Sequence, residues 1–120
     1  MKERFIMNIS DKINQRRRQF LVHSFLFYEL GEAIVPDADF DRWARELIEL
    51  QRDNLDLSAA LPFHELTAAL DTSVSAEAMG IRGEDYPLSI KSAALHVLHR
   101  HKKSKASYET FAKKYGYALL

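Results

Sequence analysis

Three histidines on one short stretch, His96, His99 and His101, are the side chains whose type and spacing first suggest chemistry. His96 and His99 stand three residues apart, a separation at which two imidazoles on one helix face can approach the same metal ion. A metal centre needs further ligands. His101 points elsewhere, no carboxylate falls at a helical spacing in this segment, and the nearest acid in sequence is Glu109. The same histidines suit a solvated basic surface, because Arg100, Lys102, Lys103 and Lys105 surround them. Cysteine is absent, which removes disulfides, thiolate ligands and thiol nucleophiles together. No ordered Ser, His and Asp set, Gly-rich phosphate loop or H-E-x-x-H occurs. Glu84-Asp85, beside Tyr86-Pro87, reads as a turn and helix start rather than an acid–base pair.

The cations offer a second chemistry. Lys102, Lys103 and Lys105 are interleaved downstream with Tyr108, Tyr115 and Tyr117, and Arg16 and Arg17 supply charge near the other end. Cations of this kind can follow phosphates, and neighbouring phenols can stack on unpaired bases, so non-specific DNA contact through the basic ends is one expectation. The chain as a whole is neutral, with 17 Lys and Arg against 17 Asp and Glu. The distribution is uneven: residues 1–28 carry +4, residues 29–85 carry −10 and residues 86–120 carry +6. Folded back, the ends would neutralise the middle; held apart, they would leave surfaces of opposite sign.

The elements that must position these groups are helices. Glycine and proline are scarce and sit at boundaries, sustained alternation is missing, and the 120 residues suffice for one core. The expected architecture is all-α: one domain, 1–120, of about four major helices. The first runs from an N-cap at Ser10 to about Leu30, with Ile13, Phe20, Leu21, Phe25 and Tyr28 along one side and Gly31 ending it. The second starts at Asp37, read as its N-cap, and ends near Asn54. A third covers Leu61 to Leu70 with Pro62 in its first turn, and Ser75 to Met79 forms a turn or two. Pro87 opens a stronger helix with Ile90, Ala94, Val97, Leu98 and His101 on one face. The last is capped by Ser107 and stopped at Gly116, and the apolar end Tyr117 to Leu120 should dock on the core. No stretch approaches the 18 apolar residues of a membrane span, and the first residues lack a leader's apolar core, so a cytoplasmic protein is expected.

Within the second helix, Pro36-Asp37-Ala38-Asp39-Phe40-Asp41 followed by Arg42-Trp43-Ala44-Arg45-Glu46-Leu47-Ile48-Glu49-Leu50 resembles the small helical N-terminal domain of bacterial NAD-dependent DNA ligases. The resemblance covers residues 19–54 as a helical hairpin, leaving 55–120 as additional helices. It implies a nicotinamide nucleotide site, for NMN or NAD, at the corner between the first two helices. There Phe27 and Tyr28 stand at the family's Tyr-His pair, and Asp37, Phe40 and Asp41 at its Asp, Tyr and Asp. Both carboxylates are kept, while Phe27 and Phe40 can stack but cannot donate a hydrogen bond. Losing one such bond weakens binding by roughly 0.5–1.5 kcal/mol. The same residues also suit a plain core with capping acids.

None of the eight lysines is followed by x-D-G, so the adenylyl-accepting nucleophile of the ligases is missing. The expectation is a non-catalytic bacterial or phage accessory protein. It would act as an adaptor or inhibitor on a protein partner through the acidic run Asp37 to Asp56, which imitates nucleic-acid charge. Nucleotide binding and DNA association are the alternatives. Intact mass after incubation with NAD and magnesium should be unchanged; a stoichiometric AMP adduct would overturn the non-catalytic reading.

Overall fold

The computed structural model describes residues 8–70 and 81–117. The expectations for Ser75 to Met79 and for the docking of Ala118 to Leu120 lie outside those residues. The described segments are mainly helical, with no strand among them, as the patterning implied.

Helix α1 spans Ile9–Ser24 and starts two residues earlier than expected. Asn8, not Ser10, is its cap: the Asn8 Oδ1 accepts from the Asp11 amide at 2.8 Å. Asn caps about as well as Ser, and the earlier start places Asp11 in the first turn, where the helix N-terminus favours an anion. The helix does not continue unaltered to Leu30. Phe25–Glu29 form a π turn, in which the Leu30 amide donates to the Phe25 carbonyl. The wider turn holds one residue more than an α turn and so rotates the residues after it. Phe25 and Leu26 become fully buried, and Phe27 is left 50% exposed. Gly31 then ends the segment at φ +68°, a left-handed conformation that glycine adopts without strain.

Helix α2, Asp37–Asp53, lies antiparallel on α1, since Arg17 meets Gln51 and His23 meets Trp43. Its N-cap is Pro36 rather than Asp37, and the Pro36 carbonyl accepts from the amides of Asp39 and Phe40 at 3.0 and 3.2 Å. Asp37 is the first helical residue, with no capping bond from its side chain. After Asn54 the chain turns into a short helix unanticipated from the sequence, α3 (Leu55–Ala60). One turn, α4 (His64–Thr67), follows Phe63, whose φ of 67° keeps Pro62 outside the helix that it was expected to open. A 3-10 turn, Gly83–Asp85, leads to α5 (Leu88–His101), and Ser107 caps α6 (Tyr108–Lys114) through a bond from the Thr110 amide.

α1 is the central element. α2 packs on one part of its surface and α5 on another, α6 packs on α5, and α3 and α4 close the end of the hairpin near Gln51. The core joins Ile13, Phe20, Leu21 and Phe25 to Leu47, Ile90, Ala94, Leu98 and Phe111. On α5 the buried face is Ile90, Ala94, Leu95 and Leu98; His101 is exposed, so the stripe lies slightly off the expected one.

Arg17 is the largest correction. Expected as a phosphate-contacting surface cation, it is fully buried. Its Nε donates to Gln51 Oε1 at 3.0 Å, Nη1 to the carbonyls of Leu61 and Pro62, and Nη2 to the carbonyl and Oγ of Ser58. Gln51 in turn donates to the Thr67 carbonyl at 3.0 Å. One guanidinium thus ties α1 to α2, α3 and the segment before α4. Among the described residues no carboxylate is a partner; the carbonyls at the α3 C-terminus supply the negative end of a helix dipole instead. Burial lowers its pKa, but the group stays charged.

Each buried acceptor left without its donor costs about 1–3 kcal/mol. Arg17→Met should therefore lower unfolding stability by about 3 kcal/mol or more in urea denaturation. Arg17→Lys should recover only part, because an ammonium has three donors where the guanidinium uses five contacts. A loss within about 0.5 kcal/mol, the range of surface substitutions, would contradict the keystone role.

Candidate functional site

The corner implied by the ligase resemblance is built by the π turn on one side and the first turn of α2 on the other. Phe27 and Tyr28 meet edge to face, with ring centroids 4.8 Å apart at 86°. Asp37 and Asp41 are exposed. Phe40 stacks on Phe20 at 5.6 Å and 18°, so its ring packs inside the hairpin. Among the described residues, no hydrogen bond, ion pair or ring contact joins Phe27 or Tyr28 to Asp37, Phe40 or Asp41. The two halves are present on the surface, each positioned by its own element.

A second aromatic pair crosses the hairpin and was not singled out in the sequence. His23 lies against Trp43, centroids 5.5 Å apart at 44°. The i+3 step from Phe40 to Trp43 on α2 was the available signal; pairing it with His23 required the antiparallel register. Burial holds the His23 imidazole below its ordinary pKa of 6.5.

The cations expected to act together are separated. Arg16 Nε donates to Glu46 Oε2 at 2.6 Å and its Nη1 to Gln19, while Arg17 is interior. Lys102, Lys103 and Lys105 lie on the turn between α5 and α6. Lys102 Nζ pairs with Glu32 at 3.0 Å, and Tyr115 donates its hydroxyl to the same carboxylate at 3.0 Å. That hydrogen bond to Glu32 raises the lysine pKa. Lys103 and Lys105 are exposed, without an ion pair among the described residues. The turn is held by His99 Nε2 against the Ala106 carbonyl at 2.8 Å and by the Ala106 amide donating to Ser104 Oγ.

His96 stacks on Tyr108, centroids 3.6 Å apart at 13°, and its Nδ1 lies 2.8 Å from the Ser92 carbonyl. His99 is turned toward Phe111 and the Ala106 carbonyl. Both imidazoles meet the Tyr108 ring, His96 face on and His99 edge on at 6.0 Å, and each has a backbone carbonyl of its own. Among the described residues no group of three His, Asp or Glu side chains could hold a metal ion.

A concave feature lies at the opposite end of the hairpin from the π turn. An open groove of about 430 Å³ between α1 and α2 is lined by Lys12, Gln15, Arg16, Glu46, Glu49, Leu50, Asp53 and Asn54. Leu50 gives it an apolar contact. With Arg16 tied to Glu46 and Asp53 paired with Arg52 at 3.3 Å, the remaining charges set Lys12 against Glu49.

No family model matches this chain, and neither the curated proteins nor the solved structures compared with it give a match. The ligase likeness rests on residues 19–54 of the sequence. No helix among the described residues is long and apolar enough to cross a membrane.

His23 gives the hairpin a pH dependence of definite sign. A lowered pKa in the folded state means that the unfolded chain binds a proton first on acidification. The stabilisation is complete above pH 6.5 and is lost as pH falls through the folded-state value. Trp43 is the sole tryptophan, and a protonated imidazole against it quenches indole emission. Its fluorescence should drop with a midpoint below 6.5, and His23→Gln should remove the step. A midpoint at or above 6.5 would contradict the burial of the ring.

Proposed function

We propose that this chain is a non-catalytic binding protein, an adaptor or inhibitor that presents the solvent side of α2 and the start of α3 to a basic protein partner. One observation carries the reading. Asp37, Asp41, Glu49 and Asp56 are exposed there and have no ion pair among the described residues. Among the described residues the basic ends reach this stretch through a single ion pair, Arg16 to Glu46. The uneven charge of the sequence therefore survives folding as a surface, and such a surface steers partners of opposite sign. Arg42 offsets part of it through Asp39 and Glu46, at distances of 3.2 and 4.0 Å.

Titration with an oligo-arginine peptide should shift the amide resonances of α2, and the affinity should fall with salt. The combined Asp41→Asn, Glu49→Gln and Asp56→Asn variant should bind at least tenfold more weakly. Its stability should change little, since exposed substitutions each cost within about 0.5 kcal/mol. Unchanged affinity in that variant would sink the reading.

A second reading, nicotinamide nucleotide binding at the corner, is favoured by the half-exposed ring of Phe27 beside Tyr28. Under it, nicotinamide mononucleotide should shift Phe27, Tyr28 and Asp41, and Asp41→Ala should abolish the shifts. No response at millimolar nucleotide would leave Phe27 as surface and the corner as scaffold.

A further inference from the structure

The geometry points to a single-stranded nucleic-acid site on the solvent side of α5 and the turn that leads to α6. Arg100, Lys103 and Lys105 contact phosphates there, and the open face of His96, backed by Tyr108, receives one base. α5 and α6 pack on α1 and on each other, so the site and its test are independent of the acidic side of α2.

Spacing along α5 sets this surface. Ile90, Ala94, Leu95 and Leu98 are buried, and His96 and Arg100, four residues apart, share the side turned to solvent. Lys103 follows just past the helix at φ 51°, a left-handed conformation that a lysine rarely adopts. His99 Nε2 donating to the Ala106 carbonyl and the Ala106 amide donating to Ser104 Oγ hold the turn around it. A turn already ordered loses little conformational freedom on binding. Arg100, Lys103 and Lys105 are exposed, without an ion pair among the described residues. The neighbouring acids are engaged by other lysines: Glu109, next to Tyr108 in sequence, by Lys113 at 3.5 Å, and Glu32 by Lys102 at 3.0 Å.

The rings decide which polyanion fits. His96 lies flat on Tyr108, centroids 3.6 Å apart at 13°, and its Nδ1 donates to the Ser92 carbonyl at 2.8 Å, which fixes the plane of the imidazole. The Tyr108 hydroxyl is buried, so the phenol backs the imidazole from the protein side. His96 is nonetheless exposed, through its edge and the face turned away from Tyr108. An unpaired base stacks on such a ring whatever its identity, and adjacent cations follow its phosphates. An acidic protein would use the cations and leave the ring in water. Tyr115 and Tyr117 do not serve: Tyr115 is held by Glu32 and Phe111, and Tyr117 lies against Phe25. Arg16 and Arg17 are engaged within the hairpin, so the site belongs to α5, α6 and their turn.

Fluorescence anisotropy of a labelled oligothymidylate of about twelve nucleotides, titrated with the full chain, tests this. With three cations on phosphates, log affinity should fall against log salt with a slope of about −2. Arg100→Gln combined with Lys103→Gln and Lys105→Gln should weaken binding about tenfold or more and bring the slope close to zero. His96→Ala should weaken it about fivefold or more and keep the slope. His96→Phe retains a flat ring and should bind within about twofold of the wild type. An abasic strand of the same length, an arm that needs no variant, should bind wild type as weakly as oligothymidylate binds His96→Ala. Oligouridylate identifies the natural strand: tighter binding than oligothymidylate names RNA, and weaker binding names DNA. Absence of binding at about 0.02 M salt, where screening is weak, overturns the proposal. So does an abasic strand that binds as tightly as oligothymidylate, or a His96→Ala variant of unchanged affinity. Oligoglutamate binding as tightly as the strand would make this a protein-facing surface and overturn it as well.

Discussion

Arg17 donates five hydrogen bonds to residues 34 to 45 positions further along the chain, and much of the hairpin's far end depends on them. Charge buried without a counter-charge is costly unless its donors are satisfied. Here the acceptors are neutral and come from three successive pieces: Gln51 on α2, Ser58 on α3, and the Leu61 and Pro62 carbonyls. A guanidinium suits this role because its donors point outward in a fixed plane, so the acceptors must be arranged around it. Short helices such as α3 and α4, with six and four residues, have little stability of their own. Their position follows from the arginine and from Gln51 bonding the Thr67 carbonyl.

The other end of α1 is organised by packing instead. The π turn brings Phe25 and Leu26 into the core together, where Phe25 meets Tyr86 at 5.3 Å and Tyr117 at 6.0 Å, both edge on. The same rotation leaves Phe27 half exposed, so the aromatic surface at the helical corner is a by-product of core filling in the turn before it. Lys102, Tyr115 and Glu32 add a polar clasp between the end of α5, α6 and the loop after the π turn. The molecule therefore has two differently built ends joined by α1, with the α1–α2 groove at one and the basic turn at the other.

That separation bears on function more than any single residue does. The acidic middle and basic termini of the sequence had two outcomes open to them, mutual neutralisation or segregation. Two ion pairs, Arg16 to Glu46 and Lys102 to Glu32, join the basic segments to the acidic one among the described residues. The other charges of α2 and of the α5–α6 turn face solvent. A surface of this kind suits recognition of charged macromolecules, and it is the basis on which we propose protein binding ahead of the small-ligand corner, whose Phe40 ring is taken up by Phe20.

Much was legible in the residues themselves. Sparse glycine and proline and the helical spacing of apolar residues determined the all-α class. Asp37 to Asn54 as a helix, Ser107 as a cap, Gly31 as a left-handed end and Gly116 as a stop followed from local stereochemistry, which depends on near neighbours alone. Other features were settled only when distant segments met. An arginine among three consecutive arginines reads as solvated until Gln51 and Ser58 are brought to it, and nothing local marks Arg17 apart from Arg16 or Arg18. The π turn likewise departs from a stripe that local periodicity would continue, because burying both Phe25 and Leu26 requires Tyr86 and α5 to be in place. Side-chain spacing along one helix is a local property, so the sequence determined the helices; which charge is buried, which ring is exposed and which surfaces stay apart depend on long-range packing, and the tertiary structure decided them.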